Sequence, residues 1–306
     1  MQWLEATAPL YLVLTALPIL AMSDFSDSID NRRPWLALGI GNSRLHWARF
    51  EGDNLVITWN TPHLDAEAID RLQSSQFDFS PWGAVAAQGD LRLVVASVVP
   101  DRLKLWRSRV PLTNLSLDNV PLRGLYPTLG IDRALAVLGA GTRYGFPVLL
   151  VDGGTALTLT GIGSDRTLVG GAILPGLGLQ IRTLARETGA LPEIARGDDA
   201  IVPQRWARDT HTAIQSGITY TVLAGLRDFI EAWWQDYPNT PVVLTGGDGE
   251  RLKKALIQRV PAWTPWLHDD PHALFLGIQA TICRPRASGG RSQRVSSDRG
   301  DRTDAL

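Results

Sequence analysis

This sequence of 306 residues has one cysteine, two methionines and five histidines. Cys283 alone cannot make an intramolecular disulfide, and no paired Cys/His spacing of a zinc site can be drawn. A reducing cytoplasm is the compartment expected for such a chain. Neither sign of charge dominates. Thirty Lys and Arg face 31 Asp and Glu for a formal net charge of −1, so no global field recruits nucleic acid or an anionic membrane. A long hydrophobic run is missing too. The apolar stretch at 9–22 covers about 14 residues, where a bilayer span takes about 20. Only Glu5 is charged before it, so the basic start of a signal peptide is absent, and stable membrane insertion is not expected. Residues 1–33 read as an N-terminal extension. Residues 284–306, rich in Arg, Ser, Gly and Asp, carry too little apolar surface to order themselves and read as a disordered tail.

The commonest nucleotide and hydrolase signatures are also missing. There is no GxxxxGK[ST] phosphate loop, no GxGxxG after a strand, no GxSxG and no HExxH. His268 and His272 flank Asp269 and Asp270, but Pro271 breaks any helix that would align them, so a metal site there is disfavoured.

What the chain does have is glycine. There are 29, about 9% against a usual 7%, and thirteen of them fall between Gly124 and Gly178. Collagen's period of three is absent, and 44% hydrophobic against 20% charged residues fits a packed globular protein of about two domains. Clustered glycine in such a chain marks turns where backbone approaches something closely.

Short apolar or alternating runs at 35–40, 45–50 and 55–59, separated by Gly41-Asn42-Ser43 and Gly52-Asp53-Asn54, predict a β-meander. A helix at 64–72, a buried strand at 93–99 and a short helix at 101–110 follow. The second half repeats the scheme. Strands are predicted at 148–152 and 156–160 around Gly153-Gly154-Thr155, and residues 167–169 lead into Gly170-Gly171. Helices are predicted near 177–188 and 211–235, a strand at 242–245 before Gly246-Gly247, and a helix at 251–260. Residues 38–43 superpose on 151–156 at an offset of about 113, too long for a solenoid repeat. Two related domains facing each other are the reading, set against the chance likeness of any two hairpins.

Glycine turns of this kind can aim successive backbone N–H groups into one concavity, an anion nest suited to phosphate. Asn42, Ser43 and Thr155 add side-chain donors, and two such turns could grip a polyphosphate between them. Asp152 ends an apolar strand, where a carboxylate must be paired, cap a turn or hold a cation. Asp132 opens the helical run 134–141, either as a complement to the helix dipole or as a base taking the proton from an attacking hydroxyl. Beside it Arg133 could hold a substrate carboxylate in a bidentate grip.

Five motifs occur in order: Gly41-Asn42-Ser43, Gly130-Ile131-Asp132-Arg133, Asp152-Gly153-Gly154-Thr155-Ala156, Gly170-Gly171-Ala172-Ile173-Leu174-Pro175-Gly176 and Thr245-Gly246-Gly247. Over about residues 35–283 they resemble the type III pantothenate kinase family, of the actin-like/acetate and sugar kinase superfamily. The resemblance implies an α/β fold of two ribonuclease-H-like domains, here 35–127 and 128–283, with a cleft between them. It implies phosphorylation of pantothenate by ATP, with Mg²⁺ and a monovalent cation (K⁺ or NH₄⁺), in a cytoplasmic homodimer.

By the same resemblance Asp132 is the proton acceptor, and Gly130, Ile131, Asp132 and Arg133 bind substrate. Tyr126 is the substrate-contacting tyrosine, although it lies closer to Gly130 than the family spacing. Thr210 reaches substrate across the dimer interface. Gly39, Ile40, Gly41, Asn42, Ser43, Arg44, Leu45 and His46 form the first phosphate turn, Thr155 contacts ATP, and Asp152 binds the monovalent cation. One position departs from the pattern: the family's first turn begins with Asp where this chain has Gly39. That loss implies weaker divalent-metal binding. It keeps two alternatives open, a weakened or regulatory relative that binds nucleotide and another small-molecule kinase of the superfamily.

Overall fold

The computed structural model describes residues 33–80, 91–194 and 202–283. The extension and the tail expected at the two ends lie outside the described residues.

Two five-stranded sheets carry the chain. In the first, β1 (Pro34–Ile40), β2 (Leu45–Glu51) and β3 (Asn54–Thr61) form the meander. After α1 (Ala66–Ser74), β4 (Arg92–Ser97) returns parallel to β1, and after α2 (Pro100–Arg107) the two-residue β5 (Thr113–Asn114) completes the order β3-β2-β1-β4-β5. Helix α3 (Ile131–Tyr144) follows.

The second sheet repeats this. The meander is β6 (Val148–Gly153), β7 (Ala156–Ile162) and β8 (Leu168–Pro175). Then come α4 (Leu177–Glu187), α5 (Thr210–Asp236), β9 (Val242–Thr245), α6 (Gly249–Arg259), β10 (Leu267–Asp269) and α7 (Ala273–Ile282). The order β10-β9-β6-β7-β8 is the first order read from the other edge. The internal likeness at the two glycine turns is therefore part of a duplication of the whole sheet, the ribonuclease-H-like arrangement twice over.

Strand parity explains the layering. In β1, Leu36, Leu38 and Ile40 point to one face, where Ile69, Leu72 and Trp106 of α1 and α2 cover them. Trp35 and Ala37 point to the other face, toward α3 and α7. In β6, Val148 and Leu150 face the same two helices, while Leu149 and Val151 face α4, α5 and α6. Sheets covered on both faces give continuous apolar strands rather than alternating ones. The layers run helix, sheet, helix pair, sheet, helix.

The central pair is packed unusually tightly. A Cβ added to Gly139 would lie 2.0 Å from the Ala273 carbonyl oxygen, and one added to Gly277 would lie 1.8 Å from that of Leu135. Only glycine at both positions lets the two backbones approach so closely.

Sequence expectations needed several adjustments. Helix α3 starts at Ile131, three residues before the run expected, because Gly130 caps it and Asp132 joins its first turn. Gly170 and Gly171 lie inside β8, paired with Gly161 and Thr160, and form no turn. The alternation along β8, half-buried then exposed, identifies it as an edge strand with one open face. Helix α7 and strands β5 and β10 were not foreseen.

Candidate active site

The C-terminal ends of β1 and β6 lie at equivalent places in the two sheets, and each leads into a glycine turn. In the first, the Gly41 N–H donates to the Arg44 carbonyl (3.2 Å), which closes the loop into β2. Asn42, Ser43 and Arg44 are exposed on it. Ile40 and Leu45 turn their side chains into the core, so they hold the loop's backbone in place and offer no side-chain contact of their own. In the second turn, the Gly154 N–H donates to the Ala156 carbonyl (3.0 Å), and Thr155 is exposed. The two turns meet: Ser43 Oγ lies 2.9 Å from Thr155 Oγ1.

Glycine makes the crowding around the second turn possible. A Cβ at Gly176 would lie 2.2 Å from the Gly154 carbonyl oxygen. One at Gly246, which has φ +79°, would lie 2.4 Å from Asp152 Oδ1. The Gly246-Gly247 segment thus passes directly over the Asp152 carboxylate, and the Asp248 N–H binds the Gly153 carbonyl (2.9 Å).

Asp132 and Arg133 are placed by the start of α3. Asp132 Oδ1 accepts from the Arg133 N–H (2.8 Å), and a Cβ at Gly130 would meet that oxygen at 2.5 Å. Ile131 turns into the core between the sheets and anchors the helix start. Burial raises the Asp132 carboxyl above its ordinary range, partly offset by the Arg133 N–H and guanidinium. Asp152 is pushed up to about 6, first by burial and then by the charge of Asp132, with Arg133 pulling the other way. Burial thus raises both carboxyls of this site above the ordinary range, with repulsion from Asp132 adding at Asp152, a perturbation that marks it as a functional-site candidate.

Arg133 is buried and differs from expectation. Its Nε and Nη2 donate to Thr160 Oγ1 (3.2 and 3.1 Å), and Nη2 also donates to the Leu159 carbonyl (3.0 Å). Nη1 donates to the Tyr126 hydroxyl (3.2 Å). The fork expected to take a substrate carboxylate is therefore turned onto the sheet, with Nη1 engaged by the half-exposed Tyr126. Gly171 makes this possible, because a Cβ there would lie 2.7 Å from Nη2 and 2.1 Å from the Leu159 carbonyl oxygen. Gly171 of the β8 pair thus serves Arg133. Tyr126, 41% exposed, stands beside Arg133 despite its short spacing from Gly130.

Two further predicted residues are Thr210 and Gly39. Thr210 is exposed at the start of α5, where Asp209 caps the helix through the Thr212 N–H (2.9 Å). No hydrogen bond or ion pair joins Thr210 to the Asp132 cluster among the described residues. At Gly39, a Cβ would lie 2.8 Å from Leu274 Cδ2, so a leucine from α7 occupies the space next to the missing carboxylate.

Three contributors were not foreseen. Asn60 Oδ1 lies 2.7 Å from His46 Nδ1, His63 Nε2 lies 3.2 Å from the Asn42 carbonyl, and Thr160 anchors Arg133. Asn60 and Thr160 gave no distinct signal, since each shares its strand with other polar residues such as Thr58 and Thr158. His268 stacks on Tyr144 (4.5 Å) and His272 precedes α7. No group of three or more metal-type side chains forms among the described residues.

Comparison with known proteins places the chain in a family. The type III pantothenate kinase family model matches residues 35–232. The type III pantothenate kinase of Nostoc sp. is 43% identical over 265 residues, covering 83% of this chain and 95% of that protein. That of Synechocystis sp. is 45% identical over 257 residues, covering 82% and 91%. Among solved structures, a Baf family protein from Campylobacter jejuni superposes with a TM-score of 0.52 at 20% identity, over 81% of this chain and 97% of that one, a likeness of fold. On the family match and these identities, the chain belongs to the type III pantothenate kinase family.

Proposed function

We propose that the protein phosphorylates pantothenate with ATP to give 4'-phosphopantothenate, the first step of coenzyme A biosynthesis. The observation that carries this reading is the joining of two glycine turns by Ser43 and Thr155, with Asp152 at the second turn under Gly246 and the charge of Asp132 felt at it. Nucleotide phosphates lie on residues 39–46 and Thr155. Asp132 takes the proton of the pantothenate hydroxyl as its oxygen bonds to the γ-phosphorus, the bond to the β,γ-bridging oxygen breaks, and ADP leaves. Positioning and electrostatic stabilisation supply most of the rate in such transfers. The Nη1 edge of Arg133, with Tyr126, receives the substrate's polar end. Gly130 and Ile131 fix this helix start.

The donor set at Asp152 suits a monovalent cation such as K⁺ or NH₄⁺. A half-buried carboxylate sits under a glycine segment, with no hydrogen bond to it recorded among the described residues. A cation there offsets the cost of ionising that carboxylate. Mg²⁺, which neutralises phosphate charge, gains no carboxylate from position 39. Leu274 beside Gly39 therefore favours the weakened or regulatory relative as the second reading. A homodimer is supported by the open face of β8, where Val169 and Ile173 are 51% and 65% exposed, with Thr210 reaching the partner's substrate. A cytoplasmic location rests on the single cysteine. The limit between the units, expected at 127/128, is better set after α3, since α3 follows β5 as α7 follows β10.

A coupled ADP-release assay with pantothenate, run with and without potassium, tests the reading. Potassium-dependent turnover is expected. Turnover with hexoses in place of pantothenate points to another kinase, and nucleotide binding without turnover points to the regulatory relative.

A further inference from the structure

His46 ends the stretch on which the proposed reading lays the phosphates, and that reading gives its imidazole no protonation role. It stands on β2, opposite Gly39 in the β1–β2 ladder and opposite Asn60 in the β2–β3 ladder. Its Nδ1 lies 2.7 Å from Asn60 Oδ1. An amide oxygen only accepts, so Nδ1 carries the hydrogen and a neutral imidazole presents a bare Nε2. That nitrogen lies under the first turn, 3.5 Å from where a Cβ on Gly41 would be, and the absent side chain leaves the ring edge open to the turn. The groups around the ring are Gly39 and Gly41 from β1 and the turn, Asn60 from β3, Arg44 from the turn and Asp132 from α3. Arg44 and Asp132 are the charged ones.

Phosphate oxygens at the turn also only accept. Against them a bare Nε2 sets lone pair against lone pair, whereas a protonated Nε2 donates a charge-assisted hydrogen bond. We infer that His46 is the proton-gated phosphate ligand of this site: nucleotide binding takes up a proton on Nε2, with Asn60 holding the ring in register. The inference rests on the nucleotide reading above. In the free protein the imidazole titrates below its ordinary value, mainly through burial, with Arg44 adding to this and Asn60 and Asp132 opposing it. At neutral pH it is therefore largely neutral before the nucleotide arrives. Once bound, the phosphate charge raises its proton affinity, so apparent affinity falls as pH rises through the region above the free value, by at most about tenfold per pH unit for one proton.

The test is calorimetric titration of the full chain with magnesium and the β,γ-imido analogue of ATP, without pantothenate, in buffers of different ionisation enthalpy at about pH 7. The native chain is expected to take up more protons per nucleotide, by up to one, than His46→Gln. Its affinity is expected to fall with pH more steeply than that of the variant. His46→Lys, charged throughout, is expected to bind without the extra uptake. If His46→Gln does not fold, Asn60→Asp serves instead, since a carboxylate at Nδ1 charges the ring before binding and abolishes the uptake. Equal proton uptake and equal pH slopes in the native chain and variants that bind overturn the inference. Failure of the native chain to bind the analogue overturns the nucleotide reading and this inference with it, a result distinct from binding without proton uptake.

Discussion

Asp132 and Asp152 are both raised by burial, yet their proposed roles differ, and the difference is testable at each residue. Asp132→Asn keeps the size and loses the basicity of the proton acceptor. Turnover is expected to drop by about 10²–10⁴-fold, while calorimetry shows nucleotide binding within a few-fold of native. Asp152 gives a pH signature. Its folded value, about 6, exceeds the ordinary 3.8, so the native state holds this proton more tightly than the unfolded chain. That contribution is fully present below the unfolded value and is lost as pH rises through about 6. Near pH 7.5 the ionised carboxylate costs on the order of 3 kcal/mol. Asp152→Asn is therefore expected to raise Tm by a few degrees at about pH 7.5 and by much less at about pH 4.5. Potassium should raise the native Tm chiefly at the higher pH and leave the variant unmoved. Scanning calorimetry at the two pH values checks both.

At this scale the sequence was informative where chemistry is local. Asp132, Arg133 and Asp152 stand in short motifs next to the glycines that make room for them. Asn60, Thr160 and Leu274 were not legible, because each reaches the site across a strand pair or from the far end of the chain, and no spacing announces that. The orientation of Arg133 was missed for the same reason. Its acceptors, Leu159 and Thr160, belong to a strand 26 and 27 residues away.

Among the elements, the strands of both meanders were readable because both faces are buried and turn residues separate them. Helix α7 was missed because it is apolar nearly all round, packed between two sheets, and shows no stripe for a 3.6-residue period to reveal. Strand β5 has only two residues and leaves no pattern. Gly170 and Gly171 follow the run 167–169 without a sequence signal for continuing the strand, yet they lie within β8, where Gly171 clears space for a guanidinium. The glycines of the central helix pair give the prediction that belongs to elements. Gly277→Ala places a methyl 1.8 Å from the Leu135 carbonyl oxygen, a backbone atom that cannot step aside without moving α3. A loss of about 1–3 kcal/mol is expected, measured by urea denaturation. Catalysis should suffer as well, because α3 begins with Gly130 and Asp132.

For the whole molecule, the duplicated sheets place two equivalent turns face to face, and the open face of β8 lies on the side of the second sheet nearest Arg133. Ile173→Asp puts a charge on that face at a residue 65% exposed, where a monomer would tolerate it. Sedimentation velocity is expected to show a native dimer and a monomeric variant. Thr210→Ala, by contrast, should leave the dimer intact and raise the KM for pantothenate. A monomeric native chain would remove Thr210 from the site.

The 2.9 Å bridge between the hydroxyls of Ser43 and Thr155 has a further consequence. These residues belong to different halves, so the bridge works as a clasp between the two glycine turns. A neutral hydrogen bond nets about 1 kcal/mol, roughly a fivefold bias in population. The clasp therefore spends most of its time shut and still springs open on thermal motion alone. On the proposed reading, an incoming triphosphate need not force entry; it has only to arrive during an opening and take over the two hydroxyls as they part.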